Sequence, residues 1–208
     1  MVEFVAWEKT PRYFRDIVIT EKIDGTNAAV VIEEAPYGFG ADERTPEGGI
    51  VVDTPEGLVV LAAQSRRRLI TPESDNRGFA RWVHENRETI VNDLGIGRHF
   101  GEWWGQGIQS GYGLSEKVFS LFNTRKWMHT DFTTPNMMTV PILYIGPHSE
   151  LEVRDALQGL REFGSAATED FNGSTFRRPE GICIFHTAAN RVFKVTLESD
   201  EQPKSVAA

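Results

Sequence analysis

Lys22 has the most chemically suggestive setting in the chain, within the stretch EKIDGTN at 21–27. Short apolar runs at 17–19 and 28–32 flank this stretch and predict two strands, so Lys22 lies at a strand-to-strand junction. A lysine held there can act as a nucleophile once its amine loses a proton, which burial or nearby cations promote. Asp24 points to the same side of an extended chain and could orient the amine or help to hold a metal.

The same stretch also fits a simpler structure. Gly25 is expected to supply the backbone freedom that a tight turn needs, and Lys22 and Asp24 would then form a surface pair on an ordinary hairpin. The pattern Lys-x-Asp-Gly favours this hairpin when it is taken alone. The choice therefore depends on whether the rest of the chain supplies a nucleotide site.

The composition is that of a globular protein and narrows the classes of function. The chain has 208 residues, a net charge of −8, 40% hydrophobic residues and 25% charged residues, which suffices to bury a core. The negative charge argues against a basic surface for non-specific nucleic-acid binding, although a local basic groove is compatible with it. Cys183 is the only cysteine, which excludes an internal disulfide, and its apolar neighbours predict a buried thiol. The sequence shows neither an apolar run of membrane-spanning length nor a signal peptide, so we expect a cytoplasmic protein with no membrane partner.

The periodicity of the chain predicts many strands and two helices. One helix is expected over 77–94, where apolar residues recur at helical spacing with one polar exception. The second is expected over 149–163, where Ser149 and Glu152 form a capping box and the apolar face ends at Phe163. Their mixed order with the strands predicts an α+β fold with mostly antiparallel sheets flanked by helices.

Other charged residues stand within or just after predicted strands. Glu102 lies between apolar residues on one strand face, so it needs a partner such as a ligand hydroxyl or a core arginine. Lys194 lies in an apolar alternation, and we expect it to face inward towards an anion. Arg66, Arg67 and Arg68 follow a strand and either grip phosphate or form a solvated turn.

Five separated motifs occur in a fixed order along the chain. They are Lys22-x-Asp24-Gly25, the arginines 66–68, Gly101-Glu102, Phe119–Asn123, and Glu180-Gly181 followed by Lys194. In this order they resemble the motifs of the covalent nucleotidyltransferase superfamily, which comprises nucleic-acid ligases and mRNA capping enzymes. The stretch EKIDGTN most resembles the ATP-dependent RNA ligases of the phage RNA ligase 2 type, and the resemblance spans about residues 17–197.

The resemblance implies a domain organisation. Residues 1–198 would form one nucleotidyltransferase (adenylation) domain, as in the ATP-grasp-like DNA and RNA ligases. Residues 199–208 would form a flexible C-terminal tail, with no appended C-terminal domain. A protein partner could then take the place of the missing domain.

The resemblance also implies a reaction. Lys22 would attack the α-phosphate of ATP to form lysyl-AMP, with Mg²⁺ or Mn²⁺ as the metal. The AMP would pass to the 5′-phosphate end of an RNA, and a 3′-hydroxyl end would then displace it and seal the strand. DNA remains possible as the substrate, and a bacterial or phage-infected cell is the expected setting by analogy.

Specific residues take roles in that reaction by their match to the motifs. The resemblance assigns catalysis to Lys22, Asp24 and Lys194. It assigns nucleotide binding to Glu21, Glu102, Phe122 and Lys194, with the backbone near Glu21 at the base edge, Glu102 on the ribose, Phe122 on adenine and Lys194 on the α-phosphate. It assigns the metal to Glu180 and the nucleic-acid ends to Asn27 and Arg66, with Arg67 and Arg68 as open alternatives to Arg66.

Two positions depart from the family pattern. The last motif usually carries a second lysine where this chain has Thr196, and RNA ligases often have Asp where it has Asn123. The departures leave two alternatives open. One is a catalytically impaired module that binds a nucleotide or an RNA end, and the other is a minimal DNA ligase. Capping with GTP is disfavoured, because capping enzymes normally need an appended domain.

Overall fold

The computed structural model describes residues 2–169 and 175–198 and shows an α+β fold with mainly antiparallel sheets, which confirms the predicted fold class. Its strands are β1 (Asp16–Lys22), β2 (Thr26–Glu34), β3 (Ile50–Thr54), β4 (Gly57–Ser65), β5 (Leu69–Ile70), β6 (Gly97–Gly105), β7 (Lys117–Leu121), β8 (Met137–Thr139), β9 (Ile142–Pro147), β10 (Gly181–His186) and β11 (Arg191–Thr196). Its helices are α1 (Phe79–Glu85), α2 (Arg87–Leu94), α3 (Thr124–Trp127) and α4 (Glu150–Phe163). The predicted tail over 199–208 lies outside the described residues.

The described chain divides into two compact units. Unit 1 comprises residues 2–22, 141–167 and 177–198, and unit 2 comprises residues 23–140, 168–169 and 175–176. The predicted domain boundaries, with one adenylation domain over 1–198, stay a prediction. No helix in the described part of the chain has the length and apolarity needed to cross a membrane.

Unit 1 is built on an antiparallel sheet with the strand order β11-β10-β1-β9. Strand β1 alternates in burial, and Ile17 and Ile19 are fully buried in a cluster with Ile182 and Ile184 of β10 and with Leu160 of α4. Because side chains alternate along a strand, Val18, Thr20 and Lys22 project from the opposite face. This alternation decides which face of the sheet carries Lys22.

Helix α4 covers the apolar face of the unit 1 sheet and confirms the predicted amphipathic helix. The Ser149 side chain accepts a hydrogen bond from the Leu151 N–H at 3.2 Å, which caps the first turn. The Arg177 guanidinium donates to the carbonyls of Glu162 (3.0 Å) and Phe163 (3.3 Å), where the helix leaves carbonyls without intrahelical donors. Phe163 itself is 67% exposed, so the buried face ends before it.

Unit 2 is built on a seven-stranded sheet with the order β3-β4-β2-β6-β7-β8, and β5 pairs with β4. All of its strand pairs are antiparallel except β7 with β8. One face packs against α1 and α2 around Phe79, Trp82, Trp103 and Phe119, whose neighbouring ring centroids lie 5.0–5.8 Å apart. The residues that alternate with Trp103 and Phe119 therefore face away from this core.

The single helix expected over 77–94 is wrong, because the chain forms α1 and α2 with a break at Asn86. This residue has φ −107° and ψ 21°, outside the helical range. Its side-chain amide donates to the Trp82 carbonyl at 2.8 Å, alongside the backbone N–H of the same residue at 3.1 Å. A local side-chain bond of this kind competes with helix propagation. The predicted burial of Cys183 is also wrong, since its side chain is only partly buried.

Asp93 at the end of α2 holds the loop that leads to β8. Its carboxylate accepts hydrogen bonds from the backbone N–H groups and the hydroxyls of both Thr133 and Thr134, at 2.7–3.0 Å. Burial alone would raise the pKa of Asp93, but these bonds hold the pKa below its ordinary value. The charged form is therefore the one that stabilises the folded state.

We expect Asp93→Ala to lower the free energy of unfolding by about 1–3 kcal/mol at pH 7, towards the lower value because solvent reaches the carboxylate. The folded-state pKa lies below the unfolded one, so the stabilisation is full above about pH 4 and is lost as the pH falls through the folded-state pKa. Urea unfolding of Asp93→Ala and wild type at several pH values measures this difference. Asp131→Ala, an exposed aspartate in the same loop, is the control, and an equal effect of both variants would contradict the assignment.

Candidate active site

Lys22 is the last residue of β1, and its Nζ forms an ion pair with the Glu180 carboxylate. The two side chains are 21% and 19% exposed, so both are largely removed from water. A partly buried ammonium is stabilised by such a carboxylate, and the reverse holds as well. The sequence predicted Glu180 as a metal ligand, but it did not predict its contact with Lys22, which lies 158 residues away.

The register between β1 and β10 brings Lys22 and Glu180 together. Lys22 pairs with Gly181, the residue that follows Glu180. Gly181 has φ +151°, and a Cβ added there would collide with the Val195 carbonyl of β11. The glycine thus lets β11 approach closely and lets the chain turn so that Glu180 reaches the amine. The Leu197 N–H also donates to the Glu180 carbonyl at 2.9 Å.

Lys194 shares the sheet face of Lys22 but does not face inward. It pairs with Cys183 on β10, which pairs with Thr20 on β1, and its side chain is exposed. The expectation of a buried lysine is therefore wrong, because β11 is an edge strand and leaves this side chain in water. Thr196 stands two strands across from Lys22, about 10 Å away by strand spacing, and its hydroxyl donates to the Glu198 carbonyl at 2.9 Å.

Glu21 points to the α4 face of the unit 1 sheet, opposite to Lys22. It is 1% exposed, and its Oε2 accepts a hydrogen bond from the Ala167 N–H at 3.1 Å. Its own N–H donates to the Pro141 carbonyl at 3.0 Å. The Glu21 side chain thus anchors the segment after α4, and the predicted contact of its backbone with a base stays a prediction.

Gly25 is needed for close approach and not for conformational freedom. The sequence predicted that Gly25 supplies backbone freedom to the turn. Its φ, however, does not lie in the positive range that favours glycine. A Cβ at this position would lie 2.6 Å from the Trp103 carbonyl oxygen and 2.8 Å from the Trp104 Cβ. The turn between β1 and β2 therefore lies directly against the end of β6 within unit 2.

Asp24 is held by a residue that the sequence analysis did not single out. Its N–H donates to the Tyr112 hydroxyl at 2.9 Å, and its Oδ2 accepts from the Ser110 N–H at 3.4 Å. Both partners lie in the glycine-rich stretch over 105–113 that follows β6. The many glycines in this stretch indicate an irregular loop, but nothing in the sequence indicates that the loop contacts Asp24.

Glu102 and Asn27 contact each other on the face of the unit 2 sheet opposite to the helices. The register pairs Asn27 with Glu102 and Glu102 with Ser120 across β2, β6 and β7. The Asn27 side-chain amide donates to Glu102 Oε2 at 2.9 Å, and Glu102 is 8% exposed. The predicted partner of Glu102 was a ligand or an arginine, so the asparagine is a partner that the sequence analysis missed.

Phe122 lies on this same sheet face and is 42% exposed. Its N–H donates to the Phe100 carbonyl at 3.0 Å, which continues the pairing of β7 with β6. Asn123 follows it as the N-cap of α3, and its side-chain oxygen accepts from the Lys126 N–H at 3.2 Å. An aspartate would accept the same bond, so Asn123 keeps the structural role of the residue it replaces.

Arg66, Arg67 and Arg68 are all exposed after β4, and the structure separates one of them from the other two. The Arg68 guanidinium donates to the carbonyls of Leu69 and Ser74 at 3.3 and 3.2 Å. Within the described residues, Arg66 and Arg67 make no side-chain hydrogen bond or ion pair. Arg68 therefore stabilises its own loop, and the choice between Arg66 and Arg67 for a nucleic-acid end stays a prediction.

The structure thus distributes the predicted residues over two sets. Unit 1 carries Glu21, Lys22, Glu180 and Lys194, and unit 2 carries Asp24, Asn27, Arg66, Glu102 and Phe122. Within the described ranges, no cluster of three or more His, Cys, Asp or Glu side chains is arranged to hold a metal ion.

The class of fold is α+β with antiparallel sheets that present a lysine–carboxylate pair in one unit and a polar sheet face in the other. The sequence model described as RNA ligase matches residues 15–196. The chain therefore belongs to the RNA ligase family, which confirms the resemblance stated from the motifs. The more specific phage RNA ligase 2 type stays a prediction.

One solved structure that matches the chain is a mutant of the RNA ligase of Naegleria gruberi with ATP and Mn. The TM-score is 0.49 at 15% sequence identity, over 88% of this chain and 50% of that chain. The chain thus spans about half the length of that relative. No curated protein matches the chain.

We expect Gly25→Ala to lower the free energy of unfolding by about 1–3 kcal/mol, because the added methyl group would push the turn away from the end of β6. Urea unfolding measures the change. Gly159→Ala on α4 is the matched control, since nothing lies within 4 Å of a Cβ there, and it should raise stability by about 0.5–1 kcal/mol. If Gly25→Ala is as stable as wild type, the steric assignment is wrong.

Proposed function

We propose that this protein is an ATP-dependent RNA ligase that forms a covalent lysyl-AMP intermediate at Lys22. The observation that supports this most strongly is the partly buried Lys22–Glu180 pair at the end of β1 in a member of the RNA ligase family. In a surface hairpin, the lysine side chain would be exposed to water and would not contact a carboxylate from a distant part of the sequence. Lys22 instead lies at the end of the central strand β1, and the carboxylate beside it belongs to Glu180, the residue before β10.

The proposed first step joins AMP to the lysine. The unprotonated Lys22 amine attacks the α-phosphorus of ATP, a P–N bond forms, and the bond to the bridging oxygen of pyrophosphate breaks. Pyrophosphate leaves with the electron pair of that bond, and the amine nitrogen gives up one proton. Only an unprotonated amine has the lone pair that attacks phosphorus, so any ammonium proton on Lys22 must leave first. The Glu180 oxygen that already contacts Nζ is the nearest acceptor.

We also propose Glu180 as a metal ligand, for a cation that the phosphates of ATP help to bind. Mg²⁺ is commonly bound by one or two carboxylates together with substrate phosphates and water. Lys22 contacts Oε2 of Glu180, and the second carboxylate oxygen would bind the metal. Mg²⁺ or Mn²⁺ bound there supplies charge neutralisation at the phosphates. Lys194 adds a positive charge on the same sheet face, and we assign it to the α-phosphate.

The remaining roles in nucleotide and RNA binding rest on the match of the residues to the family motifs. Glu102 would accept hydrogen bonds from the ribose hydroxyls, and the exposed ring of Phe122 would stack on adenine. The hydrogen bond from Asn27 orients the Glu102 carboxylate. Asn27 would therefore support the ribose site in addition to its proposed role at the RNA ends. Arg66 or Arg67 would bind the phosphate of an RNA end.

In the later steps, AMP would pass from Lys22 to the 5′-phosphate of RNA, and a 3′-hydroxyl would displace AMP to seal the strand. Asp24 would help to orient the lysine, and ends of DNA are a second possible substrate. A catalytically impaired binding module remains the competing function. Thr196 motivates it, because the charge of a second lysine is absent from the position across from Lys22.

We expect purified protein incubated with ATP and magnesium to gain the mass of one AMP, and Lys22→Ala to gain none while keeping its fold. The reason is that the alanine removes the only atom that forms the P–N bond and little packing. Intact-mass spectrometry with circular dichroism measures both. Lys9→Ala, an exposed lysine near the N-terminus, should label like wild type.

If a folded wild-type protein that carries no AMP at the outset gains no mass, the binding module replaces the ligase. If it gains AMP but never joins nicked or single-stranded RNA ends, the ligase proposal is reduced to a nucleotidyltransferase whose acceptor is another molecule. Parallel reactions with DNA ends decide between RNA and DNA.

We expect Glu180→Ala to slow adenylation at least tenfold and to weaken its dependence on magnesium, because the change removes both the proton acceptor and the metal ligand. A magnesium titration of the single-turnover rate measures this. Asp155→Ala on the exposed side of α4 is the carboxylate control. A Glu180→Ala titration that overlays the wild-type curve would remove Glu180 from the site.

A further inference from the structure

The Tyr112 ring is enclosed although it lies in an irregular loop. It is 2% exposed, its centroid lies 4.4 Å from the Phe176 ring, and it contacts Trp104 edge-on at 4.9 Å. Trp104 is in turn fully buried and donates from its indole N–H to the Ser120 hydroxyl at 2.8 Å. The aromatic ring is thus fixed by the sheet of unit 2, and its hydroxyl has a defined position.

The backbone of this loop is held in unfavourable conformations. Tyr112 has φ 51° and ψ 16°, and Gln109 has φ 47°. Left-handed conformations cost non-glycine residues free energy and persist only where surrounding contacts impose them. Gly111 and Gly113 on either side of Tyr112 are also left-handed, at φ 67° and 68°. Such strain is concentrated at functional sites.

The Tyr112 hydroxyl contacts the backbone N–H of Asp24, two residues after Lys22, at 2.9 Å. The same loop contacts the Asp24 carboxylate through the Ser110 N–H at 3.4 Å. Asp24 is therefore held through its main chain and its side chain by one loop. A hydroxyl on a rigid ring fixes a peptide plane better than water does, because it has no freedom to move with the turn.

We propose that Tyr112 is a positioning residue for adenylation, because its hydroxyl fixes the peptide of Asp24 and so the turn into which Lys22 leads. This inference rests on the proposed function, since it assigns a role in the reaction at Lys22. The contact is with the Asp24 backbone, so the hydroxyl acts through the turn. It acts by limiting the conformations of the turn, which matters most in the transition state.

Tyr112→Phe removes only the hydroxyl and keeps the stacked ring. We expect the single-turnover rate of Lys22 adenylation at saturating ATP to fall about tenfold, with ATP affinity within about twofold of wild type. The unfolding temperature should stay within a few degrees. Tyr144→Phe is the matched control, since its hydroxyl donates to the Pro147 carbonyl at 3.0 Å, and its rate should equal that of wild type.

An unchanged rate in Tyr112→Phe overturns the proposal, whether or not the variant is less stable, because the hydroxyl would then have a structural role alone. If the variant does not fold, Phe176→Leu replaces it. This change loosens the Tyr112 ring, and it supports the proposal if the rate falls with ATP affinity retained and overturns it if the rate is unchanged.

Amide hydrogen exchange in the wild type separates this inference from the proposed function. A slow exchange of the Asp24 amide that becomes faster in Tyr112→Phe supports the contact, and exchange as fast as in an unstructured peptide overturns it. This readout needs no ATP. A wild type that never forms AMP–lysine would defeat the proposed function, and with it the role in adenylation, while the exchange data would still report the contact.

Discussion

The register between β1 and β10 is the constraint on which the proposed chemistry depends. Lys22 pairs with Gly181, and this pairing brings the Glu180 carboxylate to the amine. The register is held by hydrophobic burial, since Ile17 and Ile19 are enclosed under α4. A slip by one residue would turn these isoleucines to the opposite face and Lys22 into the core. The hydrophobic burial of one face of β1 therefore also fixes the orientation of the charged Lys22 side chain on the other face.

The same separation of faces organises unit 2. Trp103 and Phe119 enter the aromatic core, and their neighbours Glu102 and Ser120 pair on the opposite face. Gly101 is needed between the strands, because a Cβ there would lie 2.6 Å from the Phe119 ring. The ribose and base sites that we propose thus lie on a sheet whose other face is densely packed. A rigid sheet limits the movement of Glu102 more than a loop would.

The two departures from the family pattern have different physical meanings. Asn123 caps α3 as an aspartate would, so the substitution keeps the local structure and removes one negative charge beside Phe122. Thr196 keeps β11 intact, and its hydroxyl bonds to a nearby carbonyl, but it cannot supply the positive charge of a lysine. If the proposed site is correct, Thr196 would weaken phosphate binding, whereas Asn123 would mainly change the electrostatics near the adenine.

The sequence by itself determined the fold class, the strands around Lys22, the capped helix α4 and the family. These depend on local periodicity and on motif order, which a linear chain displays. Only the tertiary structure decided that Glu180 contacts Lys22, that Asn27 contacts Glu102 and that Tyr112 holds Asp24. It also decided the exposure of Lys194. These features depend on register and packing between segments far apart in sequence, and the global burial of apolar surface selects them, not the local residue pattern.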